Sequence, residues 1–440
     1  MIKRYSRGLF ALGAVGLAAA LAGGGCAFTR SRSEPSVLVI WSNPTGMEEQ
    51  AFKVICERFE REHPGIKVVN TGNVDETRLT RAVIAGAAPD LAYLYQPVAA
   101  GEYAANHAIM PLDDFFTRSH LSESDFLPGA IPQCRFQGRL VAMPMTRDSR
   151  ALYWNRACFR RAGLDPDRPP RTLEEVMKLA VRLTHRDPNS QAITQLGILP
   201  PNDDPDVLFG IFGGGSIDLK TGRITANRPE NVRALRWLVD LTDAEGGMSA
   251  VATLTSGFGS DSSSQNPLAT GKIAMRIDGE YAAMHLDRFA PGTDYALGEV
   301  PYPADRPDLK NMAWGDGDIL LIPSGSHHPE LAWEFIRWMQ LPAQQITYAR
   351  SLANLPTLSG LADDPRFSAG SRSMAALGYV LRHIATNKNN SRFMPPSPVS
   401  QMYVSALKNA FDTALYHNKT PEQALADVQK RIEREWARYR

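Results

Sequence analysis

The chain has 440 residues, more than one ordinary hydrophobic core accommodates, so two domains or lobes are expected. Hydrophobic residues at 43% and charged residues at 22% are ordinary for a soluble globular protein, and nothing after residue 25 is apolar enough to span a membrane. The net charge is +1, with no basic excess of the kind that binds nucleic acid.

In chain order, Lys3, Arg4 and Arg7 form a basic start, followed by an apolar run from Gly8 to Ala22 and then Gly23-Gly24-Gly25-Cys26. That is the layout of a secretory signal over residues 1–25. The apolar run is short against the roughly twenty residues that cross a bilayer, which disfavours an uncleaved anchor. Residues 1–25 carry three basic residues and no acidic one, so the remainder of the chain is net −2. Residues 26–35 read as a polar tether through Arg30, Arg32 and Glu34.

Val37–Trp41 is a β-branched run that predicts a buried strand. Glu48–His63 carries Ala51, Phe52, Ile55 and Phe59 at helical spacing, and Pro64-Gly65 stops it. Ile66–Val69 predicts a second strand, Arg78–Ala85 a helix closed by Gly86, and Asp90–Tyr95 a third strand. Strand–helix alternation implies parallel sheets of the α/β class, whose crevices lie at the strands' C-terminal ends: here Trp41–Thr45, Thr71–Asn73 and Tyr95–Pro97. Thr172 caps a helix over Leu173–Leu183, with Glu174 and Glu175 in its first turn. Further helices are predicted at Val232–Thr242, Glu330–Gln340, Tyr403–Tyr416 and Pro421–Tyr439. Phe59, Leu112, Leu152, Trp237, Trp333 and Trp338 are expected in the core. With Cys26 set aside, Cys56, Cys134 and Cys158 remain. Their odd number leaves at least one thiol unpaired, and a Cys134–Cys158 disulfide stays open.

Two resemblances add to this reading. Cys26 after three glycines resembles a bacterial lipobox, which implies a lipidated first residue and attachment to the cell membrane through a lipid anchor; Gly23 departs from the usual Leu. The body resembles the extracellular solute-binding proteins of ABC importers, in the sugar-binding group of maltose-binding protein. The segments that carry this are Ile40-Trp41-Ser42, Phe59–Val68, Ala85–Asp90, Met110–Asp114, Gln137–Leu140 with Met143-Pro144, Leu152–Asn155, Ala162-Gly163-Leu164 with Pro169–Glu175, Gly271–Met275 with Asp278-Gly279, and Leu355-Pro356-Thr357.

That resemblance implies a periplasmic-binding-protein-like fold of two α/β lobes with a hinge and an interlobe ligand cleft. The lobes would hold residues 36–145 plus 299–345 and residues 146–298 plus 346–440. It implies a monomeric receptor that delivers a carbohydrate to a membrane permease and needs no cofactor or metal. It also implies ligand contacts. Asn43 and Thr45 follow the first strand; Tyr95 and Gln96 end the third. Asp148 lies four positions after Pro144, where the family places an acceptor for sugar hydroxyls. Arg147 beside it either pairs with Asp148 or meets an anionic substituent. Tyr281, in Asp278-Gly279-Glu280-Tyr281, stands where an aromatic stacks on the sugar. Trp314, Gly315 and Asp316 form a loop that faces the cleft, Asp318 is either part of it or structural, and Gly214 sits in a glycine triple of the second lobe.

Other functions stay in view. Asp148, Asp278, Glu280, Asp316 and Asp318 include no evident pair spaced for glycoside hydrolysis, and no nucleophile elbow, phosphate loop or His-Glu-x-x-His occurs, so an enzyme is not expected. The same fold binding a polyamine, or a polyol phosphate through Arg147, is the alternative, as is a sensing lipoprotein without a permease.

Overall fold

The computed structural model describes residues 35–95, 97–218, 221–386 and 391–439. The signal segment, Cys26 and the tether up to residue 34 lie outside the described residues, as does Gln96. The described residues from Ser36 onward form one body built on two five-stranded sheets.

The first sheet runs, in spatial order, Ile66–Thr71, Ser36–Ser42, Leu91–Leu94, Ile319–Leu321 and Met143–Pro144. Its first three strands are parallel, with Leu38 opposite Val68 and Ile40 opposite Leu91. Ile319–Leu321 then enters antiparallel, with Ile319 opposite Leu94. The second sheet runs Tyr295–Gly298, Arg150–Asn155, Ile273–Gly279, Ile193–Ile198 and His185–Arg186. Ile273–Gly279 pairs parallel with Ile193–Ile198 but antiparallel with Arg150–Asn155. Both sheets are therefore mixed rather than wholly parallel. In each, a strand arriving from a distant part of the chain runs against its neighbours.

Local chemistry accounts for the helices. Gly46–Glu62 buries Phe52, Ile55, Cys56 and Phe59 as one stripe, and Gly65 (φ 99°) and Gly86 (φ 69°) turn the chain after helices where a side chain would be strained. Thr172 and Glu175 form a reciprocal capping box on Leu173–Leu183. The predicted C-terminal pair is Ser400–Leu415 and Pro421–Trp436. The helices Pro342–Leu352 and Arg372–Thr386 were not evident in the sequence.

Phe59, Leu112, Leu152, Trp333 and Trp338 are buried; Trp237 is half-buried, against Phe212. Cys56, Cys134 and Cys158 are buried and all free, so the open Cys134–Cys158 pairing does not form. Among the described residues no helix is long and apolar enough to cross a membrane.

Three segments run side by side between the sheets. Residues 145–149 lead from Met143–Pro144 straight into Arg150–Asn155, joining one sheet to the other. Met145 N donates to Asp318 O at 2.7 Å, Arg147 N to Leu355 O at 3.0 Å, and Asp148 N to Asp316 O at 3.2 Å. This ladder sets the position of the candidate site.

Candidate functional site

A cavity of about 400 Å³ opens beside that ladder. Asp148, Tyr281, Trp314, Asp316 and Tyr95, drawn from four separate stretches of sequence, all line it. So do Glu48, Arg150, Asp204, Asp206, Asn354 and Lys408, which sequence reasoning missed.

The carboxylates fall into two kinds. Asp318 is 5% exposed, and its Oδ2 accepts from Tyr93 Oη at 2.5 Å while its backbone N–H donates to Thr146 Oγ1 at 2.8 Å. Glu48, in the first turn of Gly46–Glu62, accepts from the Tyr95 hydroxyl. Asp206 accepts from the Ser216 hydroxyl, and Asp204 caps Pro205–Ile211 through Val207 N. These acids are committed to the protein.

Asp148 is not. Among the described residues no hydrogen-bond donor reaches its carboxylate, which is offset only by the fields of Arg150 and Arg147. Burial raises its pKa above the usual carboxylate range. Asp316, held close by the backbone bridge, is pushed up to about 8 by burial, then by Asp148 and Asp204. Burial and Asp148 also raise Glu280, whose Oε2 accepts from Ser149 N at 2.8 Å while its Oε1 is buried without a partner. Arg150 donates to Ser149 O at 3.2 Å and meets Asp204 at 3.4 Å. Trp314, 4% exposed, has a buried indole N–H with no acceptor. Tyr281 precedes Ala282–Phe289 with its ring half-buried on the cavity wall, and Asp278 first, then burial, keeps its hydroxyl protonated. The chemistry gathered here is one acid awaiting donors, a second held beside it, an N–H awaiting an acceptor, and an aromatic face.

The other predicted residues lie elsewhere. Asn43 lines a separate, larger groove of about 1140 Å³ beside Glu76–Ile84, with its Oδ1 buried and unpartnered. Thr45 is exposed at the start of Gly46–Glu62 and donates its N–H to Tyr95 Oη at 3.1 Å. Gly214 packs on the protein itself: its N–H donates to Phe209 O at 2.7 Å, and a Cβ would fall on Asn231 Oδ1. Gly315 leaves room for Arg147, whose guanidinium a Cβ would strike. Arg147 neither pairs with Asp148 nor lines the cavity. It is fully buried and turned away, with Nη2 donating to Pro128 O at 3.0 Å and Ser391 Oγ at 3.1 Å; Nε and Nη1 lack partners. Burial lowers its pKa to about 10.

Local signals existed for two missed residues. Arg150 lies two residues beyond Asp148 as the chain enters a strand, where alternate side chains share a face. Asp204-Pro205 is a helix start, which brings Asp206 into the first turn. No local pattern marks Glu48 or Lys408.

A family described as bacterial extracellular solute-binding protein matches residues 43–346. A maltotriose-binding protein of Pyrococcus abyssi is 22% identical over 392 residues, covering 88% of this chain and 78% of that protein. The sn-glycerol-3-phosphate-binding periplasmic protein UgpB of Escherichia coli K12 is 25% identical over 319 residues, covering 68% and 69%. Among solved structures, CpMnBP1 with mannobiose bound superposes with a TM-score of 0.75 at 26% identity, covering 90% of this chain and 99% of that one. The sugar-binding protein MalE of Xanthomonas citri gives 0.74 at 16% identity, covering 92% and 98%.

Proposed function

The chain belongs to the bacterial extracellular solute-binding proteins, and on that premise we propose that it is the receptor of an ABC importer that captures a mono- or oligosaccharide and presents it to a membrane permease. The observation that carries this is the cavity beside the inter-sheet ladder, where the donor-free carboxylate of Asp148 stands with Asp316, the unpartnered Trp314 N–H and the Tyr281 ring. Sugars offer what such a set lacks: hydroxyl donors for the acids, oxygens for the N–H and a C–H face for the ring. Capture and release is the whole of the activity in this reading, with no bond broken.

The family is extracellular, so the chain is exported. In this reading residues 1–25 are removed, Cys26 is lipidated and residues 26–35 hold a monomeric body at the membrane face. The lobes would be 36–145 with 299–345 and 146–298 with 346–440, closing on the ligand about residues 145–149. Their last boundary falls within the helix Pro342–Leu352, whose Tyr348 and Leu352 pack into the first sheet's core. Cys26→Ser should move the protein from the membrane to the soluble fraction; retention on membranes would overturn the anchor.

A polyol phosphate, the ligand class in the name of one relative, suits the cavity poorly. Its lining is dominated by carboxylates, and Arg147, the cation that sequence offered it, faces away. The test is a thermal-shift screen of the chain from Ala27 onward against sugars, polyols, polyol phosphates and polyamines. A ligand at about 100 times its Kd adds roughly 2.7 kcal/mol of stability. A shift with a sugar is expected. A shift with a phosphate or polyamine alone would replace the substrate, and a folded protein silent to the whole panel would point to a sensing role.

A further inference from the structure

The cavity is more acidic than a neutral sugar requires. Among the described residues, seven carboxylates line it against two cations, Arg150 and Lys408. Arg150 is engaged by Asp204, and Lys408 is exposed on the helix Ser400–Leu415. Asp148 is the centre of the excess: Asp316, Asp318 and Glu280 each lie in its field, offset only by Arg150 and Arg147. Neighbouring carboxylates withdrawn from water cannot all ionise without a cation among them. A hydroxyl brings such a site a donor but no charge. An ammonium brings a charge and three donors.

The rest of the lining limits which cation fits. The Trp314 N–H is buried with no acceptor, although Trp314 is 4% exposed and lines this same cavity. A polyamine has no oxygen to offer it; a sugar has several. The Tyr281 ring supplies a face for C–H groups or a nearby cation. The set therefore calls for one ligand bearing both a positive charge and oxygen acceptors.

We propose that the cleft selects an amino sugar, a carbohydrate whose protonated amine sits between Asp148 and Asp316 while its ring oxygens or hydroxyls accept from Trp314. This rests on the carbohydrate reading and narrows it. With Asp316 pushed up to about 8 by burial and by Asp148, the empty site holds a proton there at neutral pH. The arriving ammonium displaces that proton, so binding releases it to solvent.

Calorimetry at about pH 6, where a sugar amine is charged, tests this with four probes: β-1,4-linked glucosamine disaccharide, its N-acetylated form, cellobiose and spermidine. The first three share a skeleton and differ in whether the amine is charged, capped or replaced by hydroxyl. The glucosamine disaccharide should bind about ten- to a hundredfold more tightly than the other two. It should release a proton, read from the dependence of heat on buffer ionisation. Asp316→Asn should erase both the preference and the proton release; Asp148→Asn serves if that variant does not fold. Equal or tighter binding of cellobiose overturns the proposal and leaves the carbohydrate reading standing. Binding of spermidine alone overturns both. Silence of all four with folded protein overturns the proposal, and the carbohydrate reading then rests on the wider sugar panel.

Discussion

Two of the body's concavities have a chemistry that runs opposite to their size. The groove beside Glu76–Ile84 is nearly three times the volume of the cavity at the inter-sheet ladder, about 1140 against 400 Å³. Its polar groups are mostly spent on the protein. Asp75 caps the helix through Arg78 N, Glu102 accepts from Gln401 N at 2.8 Å, the Tyr103 hydroxyl donates to Glu76 O, and Ser324 Oγ donates to His107 O. Among the described residues there, only Asn43 Oδ1 is buried and unpartnered. The smaller cavity instead sets the donor-free carboxylate of Asp148 beside the unpartnered Trp314 N–H. Unsatisfied buried groups are costly and rare, which is why the proposed ligand site is placed in the smaller cavity and not in the larger groove.

Truncating the unsatisfied acid should have the largest effect on ligand. Asp148→Ala is expected to weaken binding by about 1–3 kcal/mol, because the ligand donors it accepts from in the proposed complex would be left unpaired. Ligand-free thermal stability should hold or rise, since a carboxylate whose charged form burial disfavours is removed. Unchanged affinity by calorimetry would break the assignment of this cavity. Gly315→Ala tests the wall behind it. A Cβ there falls on Arg147 and should cost about 1–3 kcal/mol of stability in denaturant unfolding. A neutral effect would free Gly315 to act in ligand contact.

Acidity should separate the regions in the ligand-free protein. Asp206 is raised to about 7 by burial and Asp316 to about 8 by burial and Asp148; outside the cavity, burial raises Glu245 to about 7. Each has a folded pKa above its unfolded value of about 4. The folded state therefore holds more protons between about pH 4 and 8, and these groups make stability fall as pH rises through that window. Melting across that range should show the decline, and Asp206→Asn should flatten it. A rise in stability attributable to these groups would contradict their environments. The smallest effect belongs to the groove: Thr77→Ala and Gln401→Ala, both exposed, should change ligand affinity by less than about 0.5 kcal/mol. Losses matching that of Asp148→Ala would merge the two concavities into one site.

The sequence by itself determined the elements whose causes are local. The capping box at Thr172 needs only a hydroxyl and a carboxylate three residues apart. Gly65 and Gly86 end helices because positive φ is strained for other residues. The apolar stripe of Gly46–Glu62 follows from helical periodicity. Site candidates read from short motifs divided by the same logic. Asp148, Tyr281, Trp314, Asp316 and Tyr95 converge, while Asn43, Thr45, Gly214 and Gly315 sit in other surroundings.

Tertiary structure alone decided the rest. The antiparallel entry of Ile319–Leu321 beside Leu94 depends on a chain return of more than 200 residues. The burial of Arg147 against Pro128 and Ser391, rather than beside Asp148, depends on which segments crowd the ladder. Glu48, Asp204 and Lys408 reach one cavity from three distant helical regions. Backbone preference acts over a few residues. Whether a carboxylate is satisfied or left open is set by long-range packing, which no short run of residues records.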